Sequence, residues 1–423
     1  MYHYIHRVVN LFCVIDNQKS PWKLIHLPKA LQSVGDLNIS GSSSRIRDAL
    51  RNAPLSISAF CLSNDGTFRQ CEDDAAKWAQ NASRYRAKSI KLLKDAVEKD
   101  LHPASPTGYK EFLATMLSMV SINVMSGDTS TCKMHLDGAL RLMNHARTWK
   151  SKYSAKAQSL TPHLLLPTDD IREHRGECPW RNLISIPFCR SYGGFINAGD
   201  SRFRASRLRT RRMLPIFGNF GSVKRHDNTL LVLLSRSTQL ITQVTEFRQR
   251  HQTSVIPGEL TEACDKLQRV IMDLRSHFEA QKTLSDETPS SKIIRKTTVA
   301  FQNALIIYFA QHIRLLGHRY LEPYVQAVLA SIKEIEMIKA EKQILAAPLY
   351  WPAFIAGSEA FDDLIQTQFK DWYKRVEVYG IESARTGILV VEKIWMDGPG
   401  TETRLTSQWM ATVERMGVDL MLS

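Results

Sequence analysis

Phe301, Ala304, Leu305, Tyr308, Phe309, His312, Leu315 and Leu316 follow one another at helical spacing over four turns, which lines one face of an α-helix with apolar side chains. The same rhythm returns in Phe361, Leu364, Ile365, Trp372, Tyr373, Val376 and Tyr379, then in Ile388, Val391 and Trp395, and last in Trp409, Val413, Met416 and Leu420. No convincing strand alternation bounded by turn residues interrupts it. The chain is therefore expected to be all-α, built of stacked helical hairpins that form one large domain. At 423 residues and 43% apolar content it has enough material for a substantial core.

Between two such helices lies "SGDTSTCKMHLDGALRLM", Ser126 to Met143. Cys132 and His135 are three residues apart with Asp128 and Asp137 nearby, so a metal site is one reading. Helical spacing favours another, because Cys132, Leu136, Ala139 and Met143 fall on one apolar face. Upstream, Phe112 to Met125 is nearly all apolar and reads as a helix. Gly127 suits the left-handed residue that ends a helix, and Asp128 or Thr129 suits the cap of the next. Two converging ligands fall short of the three or four that zinc takes. The stretch is read as helix, stop, cap, helix, with no metal held.

Residues 1–43 mix short apolar patches with "NISGSSS" and read as a partly disordered N-terminal extension ending in a Ser-rich linker. Pro54 interrupts the next periodic segment and predicts two short helices in its place. From Asp73 to Leu101 a long helix is expected, with Arg84, Lys88, Lys91 and Lys94 on a solvated face. The start of the chain lacks a signal peptide's uninterrupted apolar run, since His6, Arg7 and Asn10 break it. No stretch reaches the ~18 apolar residues of a membrane span. Seven scattered cysteines fit a reducing compartment with free thiols.

The net charge of +14 is concentrated: residues 171–225 hold twelve Lys or Arg against three Asp or Glu, a net +9. This segment is rich in Gly, Pro and Arg and carries no long periodic run, so it is read as a disordered basic insertion in a helical domain spanning 44–423. Arg202, Arg204, Arg207, Arg209, Arg211 and Arg212 form a candidate nuclear-localisation or polyanion-binding patch. Phosphate-binding, dinucleotide, hydrolase-elbow and zinc-protease signatures are missing, as is any C-x-x-C. His312 has no Ser, Cys or acid at a telling spacing and is expected to be a buried, hydrogen-bonded histidine. No catalytic residue is assigned, and the chain is read as non-enzymatic.

Three motifs carry a family likeness. Ser126, Gly127, Asp128, His135, Leu136, Gly138 and Ala139 resemble the Ser-Gly-Asp turn and His-Leu-x-Gly-Ala helix in the regulatory domain of fungal binuclear zinc-cluster transcription factors. "NALIIYFAQHIRLLGHRYLEPYVQAVLASI", Asn303 to Ile332, is similar to that family's Ala-Leu-x-Ile-Tyr-Phe and Tyr-Val helices and includes Tyr308. "LYWPAFIAGSEAFD", Leu349 to Asp362, is similar to its Trp-Pro-x-Phe-Ile-Ala-Gly element through Trp351, Pro352 and Gly357. "GILVVEKIWM" and "WMATVERMGVDLMLS" close the chain in the family's order. The likeness runs from about Ser44 to Ser423, leaves 171–225 unmatched, and is greatest to regulators of arginine metabolism.

The resemblance implies a nuclear regulator of RNA polymerase II genes that works through proteins of the transcription machinery or as a homodimer, with no membrane association. The family's zinc-cluster DNA-binding module is absent here, since residues 1–43 contain only Cys13. Hence no cofactor is expected in this chain. Zinc would enter only with a missing N-terminal module, and DNA would be reached through such a module or a partner. The alternative is a basic helical scaffold that binds nucleic acid directly through Arg202–Arg212. An arginine effector would need carboxylates, and Glu359, Asp362 and Asp363 are available, although acids at a helix start usually serve the helix dipole.

Overall fold

The computed structural model describes residues 1–13, 20, 22–101, 108–159, 222–280, 288–399 and 406–422. Every regular element among them is helical, and no strand occurs. Two compact units are formed. One gathers Met1–Cys13, Asn17–Ile184 and Gly380–Glu382; the other gathers Val14–Asp16, Ser185–Tyr379 and Ser383–Ser423. No helix among the described residues is long and apolar enough to cross a membrane.

The first unit is organised around α1 (Leu27–Ser40), α2 (Arg45–Phe68), α3 (Glu72–Lys99), α4 (Gly108–Ser126) and α5 (Cys132–Ser159). Small residues let α2 and α3 approach closely as an antiparallel hairpin. Ser56 donates to the carbonyl of Ala82 at 2.9 Å, Ser63 to that of Ala75 at 2.8 Å, and Ser89 to that of Ala49 at 2.6 Å. The hairpin explains a departure from the sequence reading: Pro54 does not split the segment, and α2 is continuous. An interior Pro costs about 3 kcal/mol through its missing N–H and ring clash. Here Ile46, Leu50, Ala53, Ile57 and Cys61 are buried along the whole helix, which outweighs that cost. Arg84, Lys88, Lys91 and Lys94 of α3 are exposed.

Helix α4 is apolar all round because it is surrounded, with Phe112, Leu113, Leu117, Met119, Ile122 and Met125 buried. Its hydroxyls bond carbonyls of the preceding turn, as in Thr115 to Glu111 at 2.8 Å and Ser118 to Ala114 at 2.9 Å. The described part of residues 1–43 is also packed rather than extended. Tyr4–Val8 and Trp22–His26 are π-helical turns, Tyr4, Val8, Leu11 and Trp22 are buried, and Ser44 of the Ser-rich stretch caps α2. Short π turns lack the 3.6-residue period, which is why this part reads as irregular from sequence.

The second unit contains α6 (Ser222–His251), α7 (Gly258–Ala280), α8 (Pro289–Phe309), α9 (His318–Lys342), α10 (Tyr350–Gly357), α11 (Asp363–Val376), α12 (Ser383–Asp397) and α13 (Gln408–Met416). Helices α8 and α9 form its central hairpin, and α10 packs against both. Thr288 caps α8 from its β-region backbone, Asp362 caps α11 by accepting from Leu364 and Ile365 N–H at 3.0 Å, and Ser407 caps α13. Asp362 is thereby occupied by its own helix.

Candidate functional site

In the first unit the Ser126-Gly127-Asp128 turn is held from a helix that is remote in sequence. Arg86 of α3 donates to Asp128 Oδ2 at 2.6 Å, Asn123 Oδ1 at 3.1 Å and Thr131 Oγ1 at 3.2 Å. The other carboxylate oxygen of Asp128 accepts from the backbone N–H and hydroxyl of Ser130, so the carboxyl sits below the usual range through Ser130 first and Arg86 second. Gly127 has φ +71°, and a Cβ there would lie 2.8 Å from Glu382 Cγ. Both its backbone and its space require glycine. His135 and Leu136 are buried on α5, and Gly138 faces Met116 Sδ. Burial, reinforced by the charge of Arg86, pushes the His135 imidazole down to about 4, so it is neutral.

In the second unit Tyr308 and His312 share the inner face of the α8 segment. Helix α8 runs into a π-helical turn, Ala310–Arg314, that ends at Leu315 with φ +53°. The carbonyls of His312 and Ile313 accept from the buried guanidinium of Arg248 on α6 at 2.6 and 2.8 Å, a cation serving a helix C-terminus. His312 Nδ1 is 2.7 Å from the Tyr308 carbonyl, which can only accept, so Nδ1 carries the proton. Nε2 is then left to accept from Ser407 Oγ at 2.9 Å. This Ser–His pair is not a nucleophile: His312 is 1% and Ser407 3% exposed, and the serine hydroxyl already caps α13. Burial lowers the His312 imidazole to about 4.

Trp351 of α10 stacks on Phe301 at 5.6 Å and meets Tyr308 edge-on at 6.0 Å. Pro352 lies in the first turn of α10, where its missing N–H is not needed. Gly357 is closely packed: an added Cβ would lie 2.9 Å from the Tyr373 hydroxyl and 3.4 Å from Val391 Cγ1. The Gly357 carbonyl accepts from Trp395 Nε1 at 2.8 Å, and Tyr373 donates to the Ala353 carbonyl at 3.1 Å. These residues assemble helix junctions rather than an open cleft.

Sequence reasoning missed the buried charges that hold the motifs. Lys339 and Glu336 are paired at 2.7 Å at 2% and 4% exposure; Lys339 also donates to the carbonyls of Ala346 and Ala347, and Tyr379 donates to Glu336 at 2.6 Å. The i,i+3 spacing of Glu336 and Lys339 was visible, but only burial separates this pair from an ordinary surface one. An open groove of about 680 Å³ runs along α9 and α11, lined by Lys333, Met337, Asp362 and Leu364 among others. The arginine patch Arg202, Arg204, Arg207, Arg209, Arg211 and Arg212 lies outside the described residues.

The chain belongs to the fungal specific transcription factor domain family, whose model matches residues 1–165 and 226–423. It is similar to arginine metabolism regulation protein II of Saccharomyces cerevisiae, 21% identical over a 502-residue alignment that takes in 100% of this chain and 55% of that protein. The chain thus spans about half the length of that curated relative. No solved structure matches.

Proposed function

We propose that this chain is the regulatory portion of a nuclear transcriptional regulator of RNA polymerase II genes, without enzymatic activity, acting on arginine or nitrogen metabolism. The observation that carries this reading is the family match across both helical units, 1–165 and 226–423. The name of the Saccharomyces cerevisiae relative supports the narrower assignment to arginine metabolism. The chain works through contacts with proteins of the transcription machinery or a second copy of itself, and reaches DNA through a separate module or a partner. Deleting the locus in the organism that carries it tests the assignment. Transcripts of arginine-metabolism genes should lose their response to arginine supply, and an unchanged response contradicts the reading.

A second reading rests on the net +9 of residues 171–225: a basic scaffold that binds nucleic acid through Arg202–Arg212. Binding through several phosphates weakens steeply as salt rises. Failure of the purified chain to bind any duplex at low salt removes this reading.

A further inference from the structure

We infer that His3, Cys61 and Asp65 of the first unit form a binding site for a single zinc-class divalent cation. One imidazole nitrogen, the Cys61 sulfur and one Asp65 oxygen lie within 4.8 Å of one another, converging from two helical segments 58 positions apart in sequence. Cys61 and Asp65 are one turn apart on the same face of α2, the i,i+4 spacing that aims two side chains at one point. His3 and Arg7 repeat that spacing at the start of the chain, on the segment that packs over them.

The donor set is chemically suited to this cation. Imidazole nitrogen, thiolate sulfur and carboxylate oxygen are the three zinc ligand types, and three of them leave a fourth tetrahedral position to water. His3 Nε2 is shielded from solvent and has no hydrogen-bond partner among the described residues. A buried polar atom left in that condition costs free energy.

Arg7 sets the conditions for uptake. Its guanidinium donates to Asp65 Oδ1 at 2.8 Å and also hydrogen-bonds Cys61. The carboxylate keeps further lone pairs for a metal while Arg7 remains on Oδ1, but the contact to Cys61 must yield. Zinc takes the thiolate, so binding requires the Cys61 S–H bond to ionise. Sulfur then donates its electron pair to the metal and the proton leaves to solvent. Affinity should therefore rise about tenfold per pH unit near neutrality, one proton being released per cation bound. The bound cation would fasten the N-terminal helical segment to α2 and so stabilise the first unit.

The test uses the purified full chain, stripped of metal and titrated with Co²⁺ under reducing conditions. One cobalt per chain should bind with a thiolate-to-metal charge-transfer band in the near ultraviolet, and Zn²⁺ should abolish the band and raise the unfolding midpoint. Cys61→Ala should remove the band, and His3→Gln should weaken binding at least tenfold, with helical circular dichroism confirming that both variants fold. His3 is half-buried, so its variant keeps the test meaningful even if Cys61→Ala fails to fold. Absence of the band in the wild-type chain, its survival in Cys61→Ala, or unchanged affinity in His3→Gln would each overturn the assignment.

Discussion

Gly357→Ala adds a single methyl group at the point where α10, α11 and α12 meet. Its Cβ would sit 2.9 Å from the Tyr373 hydroxyl, so the ring or the α10 backbone must shift by about 0.5 Å to reach ordinary contact. The ring cannot swing freely, because Tyr373 is buried and its hydroxyl is bonded to the Ala353 carbonyl. Overpacking of this kind costs about 1–3 kcal/mol, and breaking the Tyr373 bond with both groups still buried adds about 1–3 kcal/mol. Ala gains about 1 kcal/mol over Gly as a helix residue, leaving a net loss of about 1–5 kcal/mol, and about 2 kcal/mol where the ring relaxes in part. A unit of this size loses about 2–4 °C in Tm per kcal/mol, so a fall of about 4–8 °C is expected by circular dichroism. The assay becomes decisive in a Tyr373→Phe background. Removing the hydroxyl makes room for the methyl, so the added cost of Gly357→Ala should largely vanish and a coupling of about 2 kcal/mol should appear in the double-mutant cycle. A Gly357→Ala chain as stable as wild type, or one whose loss is the same in both backgrounds, would refute the reasoning. Gly357→Leu should prevent the unit from assembling.

Two further outcomes follow from buried ionisable groups. Lys339→Met leaves the Glu336 carboxylate buried with only Tyr379 for a partner, which should cost about 3–5 kcal/mol, and Glu336→Met in the same chain should recover most of it; urea unfolding of the three variants measures both. His312 is folded as a neutral imidazole at about 4, so between pH 6.5 and that value the unfolded chain binds a proton that the native chain does not, and stability falls as the pH is lowered. Lowering the pH from 7 to 5 should destabilise wild type about 2 kcal/mol more than His312→Gln, and equal losses in urea titrations would show that His312 is not the group responsible.

The helical class was legible because amphipathic periodicity persists through most of the described chain, and the Ser126-Gly127-Asp128 stop was legible because only glycine occupies its φ cheaply. Pro54 misled because propensity is local, whereas the continuity of α2 is decided by its burial. The family motifs announced Gly127, Asp128, Trp351 and Gly357 but not their partners. Arg86 lies 42 positions from Asp128, and Arg248 lies 64 from His312; no spacing rule joins residues that meet only in the fold. The convergence of His3 with Cys61 and Asp65 escaped for the same reason, since each looks ordinary in its own helix.

The central claim is that this helical chain conveys regulation to transcription once it is brought to a promoter. Fusing it to an unrelated DNA-binding module and reading a reporter gene in yeast tests that claim directly, with Gly357→Leu as the disassembled control at matched protein level. The account predicts that the wild-type fusion changes reporter transcription several-fold, up or down, and that the Gly357→Leu fusion returns it to the level of the DNA-binding module alone. A wild-type fusion indistinguishable from that module would contradict it.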